Sequence, residues 1–112
     1  FTILSGDDSL TLPYMSVGAR GVISVAANLI PRQLTKMVHS YLKGDLKGSL
    51  KLHEKYYPLF RNLFIETNPM PVKAALAMMG LVKEEFRLPL VKMESKNRRQ
   101  LRATLSSVGV LK

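Results

Sequence analysis

Two adjacent carboxylates, Asp7 and Asp8, follow Ser5 and Gly6 in a short turn near the start of the chain. A pair of carboxyl groups can act as general acid and general base. Neighbouring residues in a turn rarely converge on one reacting atom, so the sequence favours a structural role, with Gly6 serving the turn and Asp8 or Ser9 capping the next helix. Because Gly6 has no side chain, a ligand could also approach the backbone closely there.

Three other side chains could take part in chemistry, but their sequence context gives less support for such a role. Lys73 is an alternative nucleophile, because a desolvated lysine can form Schiff bases. Lys73 follows a proline-rich break at a predicted helix start, however, which favours a structural or surface role. His39 and His53 have no third ligand at a recognisable spacing, so no metal site is expected. Cysteine is absent, which excludes disulfides and thiolate nucleophiles.

The turn belongs to two predicted strand–helix units in succession. Residues 1–5 and 21–25 are short, apolar and partly β-branched, which predicts strands. A helix from Asp8 or Ser9 to Gly18 follows the first strand. A loop over residues 26–30 and a helix from Pro31 to about Lys43 follow the second. This order predicts a parallel α/β sheet, and (β/α)8 barrels assemble their active sites from such strand-to-helix loops.

From residue 45 onward only helices are predicted. Pro58 should kink the first of them, residues 72–79 form a short helix ended by Gly80, residues 87–90 are extended, and Ser95 caps a last helix to about residue 107. The apolar stripe of the first helix comprises Leu52, Tyr56, Leu59, Phe60, Leu63 and Phe64.

Two parallel strands cannot cover their own edges or both of their apolar faces, because parallel sheets occur buried and multi-stranded. Residues 1–30 are therefore expected to be a piece of a larger sheet. The chain does not begin with methionine, and we expect the true start upstream.

The net charge of +9 suggests one further function class. Such an excess could attract nucleic acid or an anionic surface, as in a basic helical binding module. Lysines recur every four residues from Lys43 to Lys55, however, which places them on one exposed helix face. No aromatic residue interleaves with the basic cluster over residues 96–102 to stack on bases. A solvated face is favoured, and no nucleic-acid partner is predicted.

Membrane association is not expected either. No stretch approaches the roughly 20 apolar residues that span a bilayer, and no signal peptide is visible. We expect a cytoplasmic protein.

Four blocks of the sequence resemble the dihydrodipicolinate synthase family, in its order and spacing. They are residues 5–8 (SGDD), 18–28 (GARGVISVAAN), 68–73 (NPMPVK), and 80–81 (GL) with 87–90 (RLPL). The resemblance implies the C-terminal portion of a (β/α)8 TIM barrel, an α/β fold. Residues 1–44 would form strands seven and eight with their helices, and residues 45–112 a three-helix extension, so the chain would be mostly helical.

The resemblance also implies a reaction of the class I aldolase type. A lysine on strand six forms a Schiff base with pyruvate, and the resulting enamine attacks aspartate semialdehyde, in lysine and diaminopimelate biosynthesis. That lysine and a proton-relay tyrosine are expected upstream of Phe1. No catalytic residue is therefore expected in this chain, which alone should be inactive. No cofactor is implied, and the family's usual tetramer favours self-association.

Four residues match substrate-pocket positions of the family. Gly6 matches the glycine beside the bound ketoacid, and Ile23 matches an apolar wall near the Schiff base. Asp8 and Val25 match positions that contact the aldehyde-side substrate in relatives. The related sialic acid lyases have hydrogen-bonding groups where this chain has Ser9 and Val25. A valine opposite a sugar hydroxyl would cost roughly 1–3 kcal/mol, so the synthase is favoured over that lyase or a 2-keto-3-deoxy sugar acid aldolase.

Overall fold

The computed structural model describes every residue from Phe1 to Lys112. The chain divides into two compact units, Phe1–Tyr57 and Pro58–Lys112. More than half of the residues are helical. The helices are α1 (Thr11–Ser16), α2 (Pro31–Leu42), α3 (Leu46–Asn62), α4 (Met70–Met78) and α5 (Ser95–Ser107), with short 3₁₀ helices at Asp8–Leu10 and Ala26–Asn28. None of these helices has the length and apolar character needed to span a membrane.

A single parallel bridge between Ser5 and Val22 stands where two strands were predicted. The Ser5 amide donates to the Gly21 carbonyl at 2.8 Å, and the Ile23 amide donates to the Ser5 carbonyl at 2.9 Å. The predicted strands over residues 1–5 and 21–25 were therefore too long. A parallel ladder is extended by neighbours on both sides, and no other strand lies beside this pair within the chain.

The core of the first unit lies between α1, α2 and the 3₁₀ helix Ala26–Asn28. Segment 26–30, predicted as a loop, contains that 3₁₀ helix. Pro31 occupies the first turn of α2 as predicted, and α2 ends before Gly44, whose φ of +85° suits glycine. The buried apolar side chains of this core are Leu12, Met15, Ala19, Ala26, Leu29, Ile30, Leu34 and Met37.

Helix α3 begins at a capping carboxylate. The side chain of Asp45 accepts from the amide of Gly48 at 2.9 Å, which satisfies an amide of the first turn. The buried hydroxyl of Ser49 donates to the carbonyl of Met37 in α2 at 2.7 Å. Lys47, Lys51 and Lys55 are exposed along α3, as predicted, whereas Lys43 is exposed at the C-terminal end of α2 and does not share that helix face.

In the second unit, α4 and α5 pack together. The side-chain amide of Asn62 donates to the Thr104 hydroxyl at 2.6 Å. The carboxylate of Glu66 accepts from the backbone amide of Glu94 and the side chain of Asn97, both at 2.9 Å. The most deeply buried apolar side chains here are Leu59, Phe60, Leu63, Ala74, Ala75, Leu101 and Leu105.

Several predictions for the second unit were wrong in detail. Phe64 is exposed and lies past Asn62, the last residue of α3, so it does not continue the apolar stripe. Helix α4 begins at Met70, since Pro71 fits a first helical turn. Residues 87–90 form a turn closed by Leu90 donating to Arg87. Ser95 is the first residue of α5, and Glu94 holds the capping position without a side-chain bond.

Candidate active-site loops

The bridge between Ser5 and Val22 brings two loops together. One loop, residues 5–8, begins at Ser5, and the other, residues 23–27, follows Val22. Ser5 is buried, and its hydroxyl donates to the Asp7 carbonyl at 2.7 Å and accepts the Asp7 amide at 3.1 Å. These bonds close the first loop tightly on itself. Both loops leave the same end of the parallel pair, as the predicted barrel requires.

Asp7, and not Asp8 or Ser9, caps the helical segment that follows. One carboxylate oxygen of Asp7 accepts from the amide of Ser9 at 2.7 Å, the hydroxyl of Ser9 at 2.6 Å and the amide of Leu10 at 3.3 Å. The prediction that Asp8 or Ser9 forms the cap was wrong. Asp7 has an extended backbone, with φ −132° and ψ 125°, which suits the residue before the first helical turn.

The carboxylate of Asp8 instead reaches the second loop. The Asp8 residue is 1% exposed. One of its oxygens accepts from the hydroxyl of Ser24, and the other accepts from the amides of Val25 at 3.1 Å and Ala26 at 3.0 Å. Asp7 and Asp8 thus bind separate sets of donors. They do not converge on one atom as an acid–base pair would have to.

Gly6, Ile23 and Val25 lie around this junction. A methyl group built at Gly6 would meet no atom within 4 Å, so the space beside its backbone is open. The Ile23 amide donates to the carbonyl of Ser5, the residue before Gly6, and its side chain is 71% exposed in this chain. Val25 is half-buried. The pocket roles implied for Gly6, Ile23, Val25 and Asp8 stay predictions.

Ser24 is a member of this junction that sequence reasoning missed. Its hydroxyl donates to Asp8 and accepts the amide of Ala27 at 2.9 Å. The signal for it in the sequence is weak, a polar residue near the end of the second predicted strand. Asp8 begins a 3₁₀ helix, so the alternation of side chains along an extended segment does not extend to it and could not pair it with Ser24.

Lys73 is far from these loops in sequence and belongs to the second unit. It lies in the first turn of α4, as predicted. Its ammonium group donates to the carbonyl of Glu85 and lies over the ring of Phe86. This arrangement supports the structural role that was favoured for Lys73. No group of three or more His, Cys, Asp or Glu side chains is placed to hold a metal ion.

Comparison with known proteins gives consistent matches. The sequence model of the Dihydrodipicolinate synthetase family matches residues 1–108. The 4-hydroxy-tetrahydrodipicolinate synthase of Thermodesulfovibrio yellowstonii is 49% identical over 111 residues, which cover 99% of this chain and 38% of that protein.

Solved structures match equally well. The 4-hydroxy-tetrahydrodipicolinate synthase of Methylacidiphilum fumariolicum SolV is 56% identical with a TM-score of 0.95, over 96% of this chain and 36% of that one. The chloride-inhibited dihydrodipicolinate synthase of Acinetobacter baumannii, solved with pyruvate, is 36% identical with a TM-score of 0.94, over 99% and 38% of the two chains. The chain thus spans somewhat more than a third of the length of its relatives.

These matches confirm the predicted fold class, the C-terminal part of a TIM-barrel enzyme that is mostly helical as a chain. They do not favour the alternative of a basic binding module. Because the family model covers nearly the whole sequence, the chain belongs to the dihydrodipicolinate synthetase family.

Proposed function

We propose that this chain is the C-terminal part of a 4-hydroxy-tetrahydrodipicolinate synthase, which condenses pyruvate with aspartate semialdehyde. The observation that carries the proposal is 49% identity to such a synthase over 99% of the chain. In this reaction a lysine amine adds to the pyruvate carbonyl and expels water to give a Schiff base. Loss of a methyl proton then gives an enamine, whose carbon attacks the aldehyde and forms the new C–C bond.

The contribution of this chain is one side of the pocket. Gly6 leaves room for the ketoacid, and Ile23 supplies an apolar wall beside the Schiff base. The hydrogen bond that joins the Ile23 amide to the carbonyl before Gly6 supports this placement. Val25 lies further along the same loop, on the aldehyde side. The nucleophilic lysine and the relay tyrosine belong to the part of the family's length that this chain does not span.

The domain boundary and the assembly are part of the same proposal. Residues 1–44 form the last two β/α units of the barrel and residues 45–112 the helical extension. The complete protein forms a homo-oligomer, a tetramer as is usual in the family, and works in the cytoplasm without a cofactor.

The test is activity of the complete protein that carries this chain. We expect it to consume pyruvate and aspartate semialdehyde together. We also expect pyruvate followed by borohydride to add one pyruvyl group to a lysine outside residues 1–112. The isolated chain is the matched control and should do neither. Activity with a 2-keto-3-deoxy sugar acid or sialic acid, and none with aspartate semialdehyde, would replace the synthase by another pyruvate aldolase.

A further inference from the structure

We propose that Asp8 is a positioning residue for the pyruvate pocket. Its buried carboxylate holds the loop over residues 23–27 in the conformation that places Ile23 beside Gly6. The proposal rests on the proposed function, because it concerns the same pocket. Asp8 acts through the loop and not through contact with substrate. The family resemblance alone implies the opposite, a contact between this position and the aldehyde-side substrate.

The first argument is where the donors to Asp8 come from. All three lie in the second loop, 16–18 residues away in sequence. The amides of Val25 and Ala26 stand at the start of the 3₁₀ helix Ala26–Asn28, where helical amides have no partner within the helix. The carboxylate supplies that partner from the other loop. Asp8 therefore performs for the second loop the capping role that Asp7 performs for the first.

The second argument is that both oxygens of Asp8 are occupied. Ser24 binds one, and two backbone amides bind the other. A carboxylate that is 1% exposed must be compensated by donors of this kind, because burying it without them is costly. The oxygens therefore face the protein interior, which leaves little capacity for a substrate group.

The third argument concerns what the loop carries. Ile23 and Val25 flank Ser24 directly in sequence, and the Ile23 amide binds the Ser5 carbonyl at 2.9 Å. The position of Ile23 is therefore set from two sides, by the bridge at Ser5 and by the carboxylate at Asp8. If the carboxylate is lost, only the bridge remains, and the wall beside the Schiff base can shift. Shifts of about 1 Å in a reacting geometry can cost on the order of a hundred-fold in rate.

The chain offers a matched control in Asp7. It is the neighbouring carboxylate and also accepts three hydrogen bonds, but all of its donors lie within three residues. Loss of either carboxylate removes three bonds to a charged group, and only Asp8 joins the two loops. The activity lost in Asp7→Ala therefore measures the general effect of losing such a cap. The activity lost in Asp8→Ala measures that effect together with the displacement of Ile23.

The experiment uses the complete protein that carries this chain, as wild type, Asp7→Ala, Asp8→Ala, Asp8→Asn and Ser24→Ala. Measurements are the folded fraction, kcat, the KM for each substrate, and the rate of pyruvate trapping by borohydride. Per folded molecule, we expect Asp8→Ala to lower trapping and kcat/KM for pyruvate about ten- to a hundred-fold. Asp7→Ala should stay within about two-fold of wild type, since it leaves the second loop in place.

Asp8→Asn separates positioning from direct contact. An amide oxygen can still accept the two backbone amides, and the amide NH₂ can donate to the Ser24 hydroxyl. A positioning role therefore predicts that Asp8→Asn recovers most of the activity that Asp8→Ala loses. An asparagine variant as inactive as the alanine variant would overturn the proposal, because it would show that the charge itself acts on substrate.

The remaining outcomes also test the positioning role of Asp8. If Asp8→Ala does not fold, Ser24→Ala, which removes one of the three bonds, should slow trapping by about two- to ten-fold, and unchanged trapping in Ser24→Ala overturns the proposal. Equal activities of folded Asp8→Ala and Asp7→Ala overturn it as well, while the synthase function stands. A wild-type protein that neither traps pyruvate nor condenses it refutes the proposed function, and the role of Asp8 falls with it.

Discussion

The ammonium nitrogen of Lys73 lies 5.2 Å from the centroid of the Phe86 ring. The same nitrogen donates to the carbonyl of Glu85. A cation over an aromatic face is attracted by the negative charge density of the ring. Both contacts tie the segment after α4 to the first turn of that helix. They hold the ammonium nitrogen against its own unit, as a structural role requires.

We therefore predict that pyruvate and borohydride leave Lys73 unmodified. Peptide mapping by mass spectrometry of the isolated chain should show no more pyruvyl group on Lys73 than on Lys83, an exposed lysine in the same unit. A stoichiometric adduct at Lys73 alone would mean that this chain carries a nucleophile of its own.

The ion pair between Arg98 and Glu84 should contribute a small coupling free energy to unfolding. The guanidinium of Arg98 binds the carboxylate of Glu84 through two nitrogens, the shorter contact being 2.8 Å. The side chain of Arg98 is 39% exposed, so water and salt screen the pair. A double-mutant cycle with Arg98→Gln and Glu84→Gln should give about 0.2–1 kcal/mol of coupling in urea unfolding. Arg99→Gln, at an exposed arginine without an ion pair, should show none with Glu84→Gln.

Leu101 should be a major contributor to the stability of the second unit. It is completely buried, and Leu101→Ala should lower the free energy of unfolding by about 2–5 kcal/mol because it leaves a cavity. Leu88→Ala makes the same chemical change at a side chain that is 85% exposed, and should stay within about 0.5 kcal/mol. Urea unfolding followed by helical circular dichroism measures both, and equal losses would contradict the assignment of the core.

His53 should titrate below the ordinary range of a histidine. Burial lowers the pKa of His53, and the neighbouring Glu54 opposes that effect only in part. The folded pKa of His53 lies below the unfolded value of about 6.5. At pH values between these two pKa values, the unfolded chain therefore binds more protons than the folded chain. Stability from this residue is complete above the unfolded pKa and declines as the pH falls toward the folded one.

The measurement is an NMR titration of the histidine ring protons. The His53 midpoint should lie below its midpoint in the same chain unfolded by urea. Equal midpoints in the two states would remove the predicted pH dependence. His53→Gln should reduce the loss of helical signal between neutral and acidic pH.

The isolated chain should self-associate through its first 25 residues. Ile3, Val17 and Ile23 are 55%, 82% and 71% exposed, next to a strand pair whose outer edges have no neighbour. Exposed edges and apolar patches of this kind promote association. Sedimentation should show oligomers that Ile23→Ser weakens more than Leu81→Ser, a change at another exposed apolar residue. A monomer with one sharp cooperative melt would contradict the prediction.

Local sequence was enough to predict most of the helices. Gly44 and Gly80 both have positive φ directly after a helix, and a glycine at that position is a signal that the sequence carries by itself. The stripe of α3 followed from its period, and Tyr56, Leu59 and Phe60 are indeed buried. Phe64 fitted the same period but lies past the end of the helix, where periodicity no longer applies.

The candidate site was harder to predict, because its bonds join distant residues. Asp7 and Asp8 are chemically identical neighbours, and their different roles depend on a hydroxyl and two amides 16–18 residues beyond Asp8. Propensity rules consider one element at a time and could not choose between them. The strand lengths failed for a related reason, since ladders depend on neighbours that the pair Ser5–Val22 does not have here.

The burial of Ser49 should restrict which residues can replace it as the sequence evolves. Its buried hydroxyl touches the carbonyl of Met37, and the side chains two positions away on either side, Lys47 and Lys51, point into solvent. A short side chain therefore sits inside this turn, and two long ones lie outside it. In any collection of functional descendants, position 49 should remain small while its lysine neighbours drift among polar residues. The variability along α3 would then trace which side of the helix faces α2.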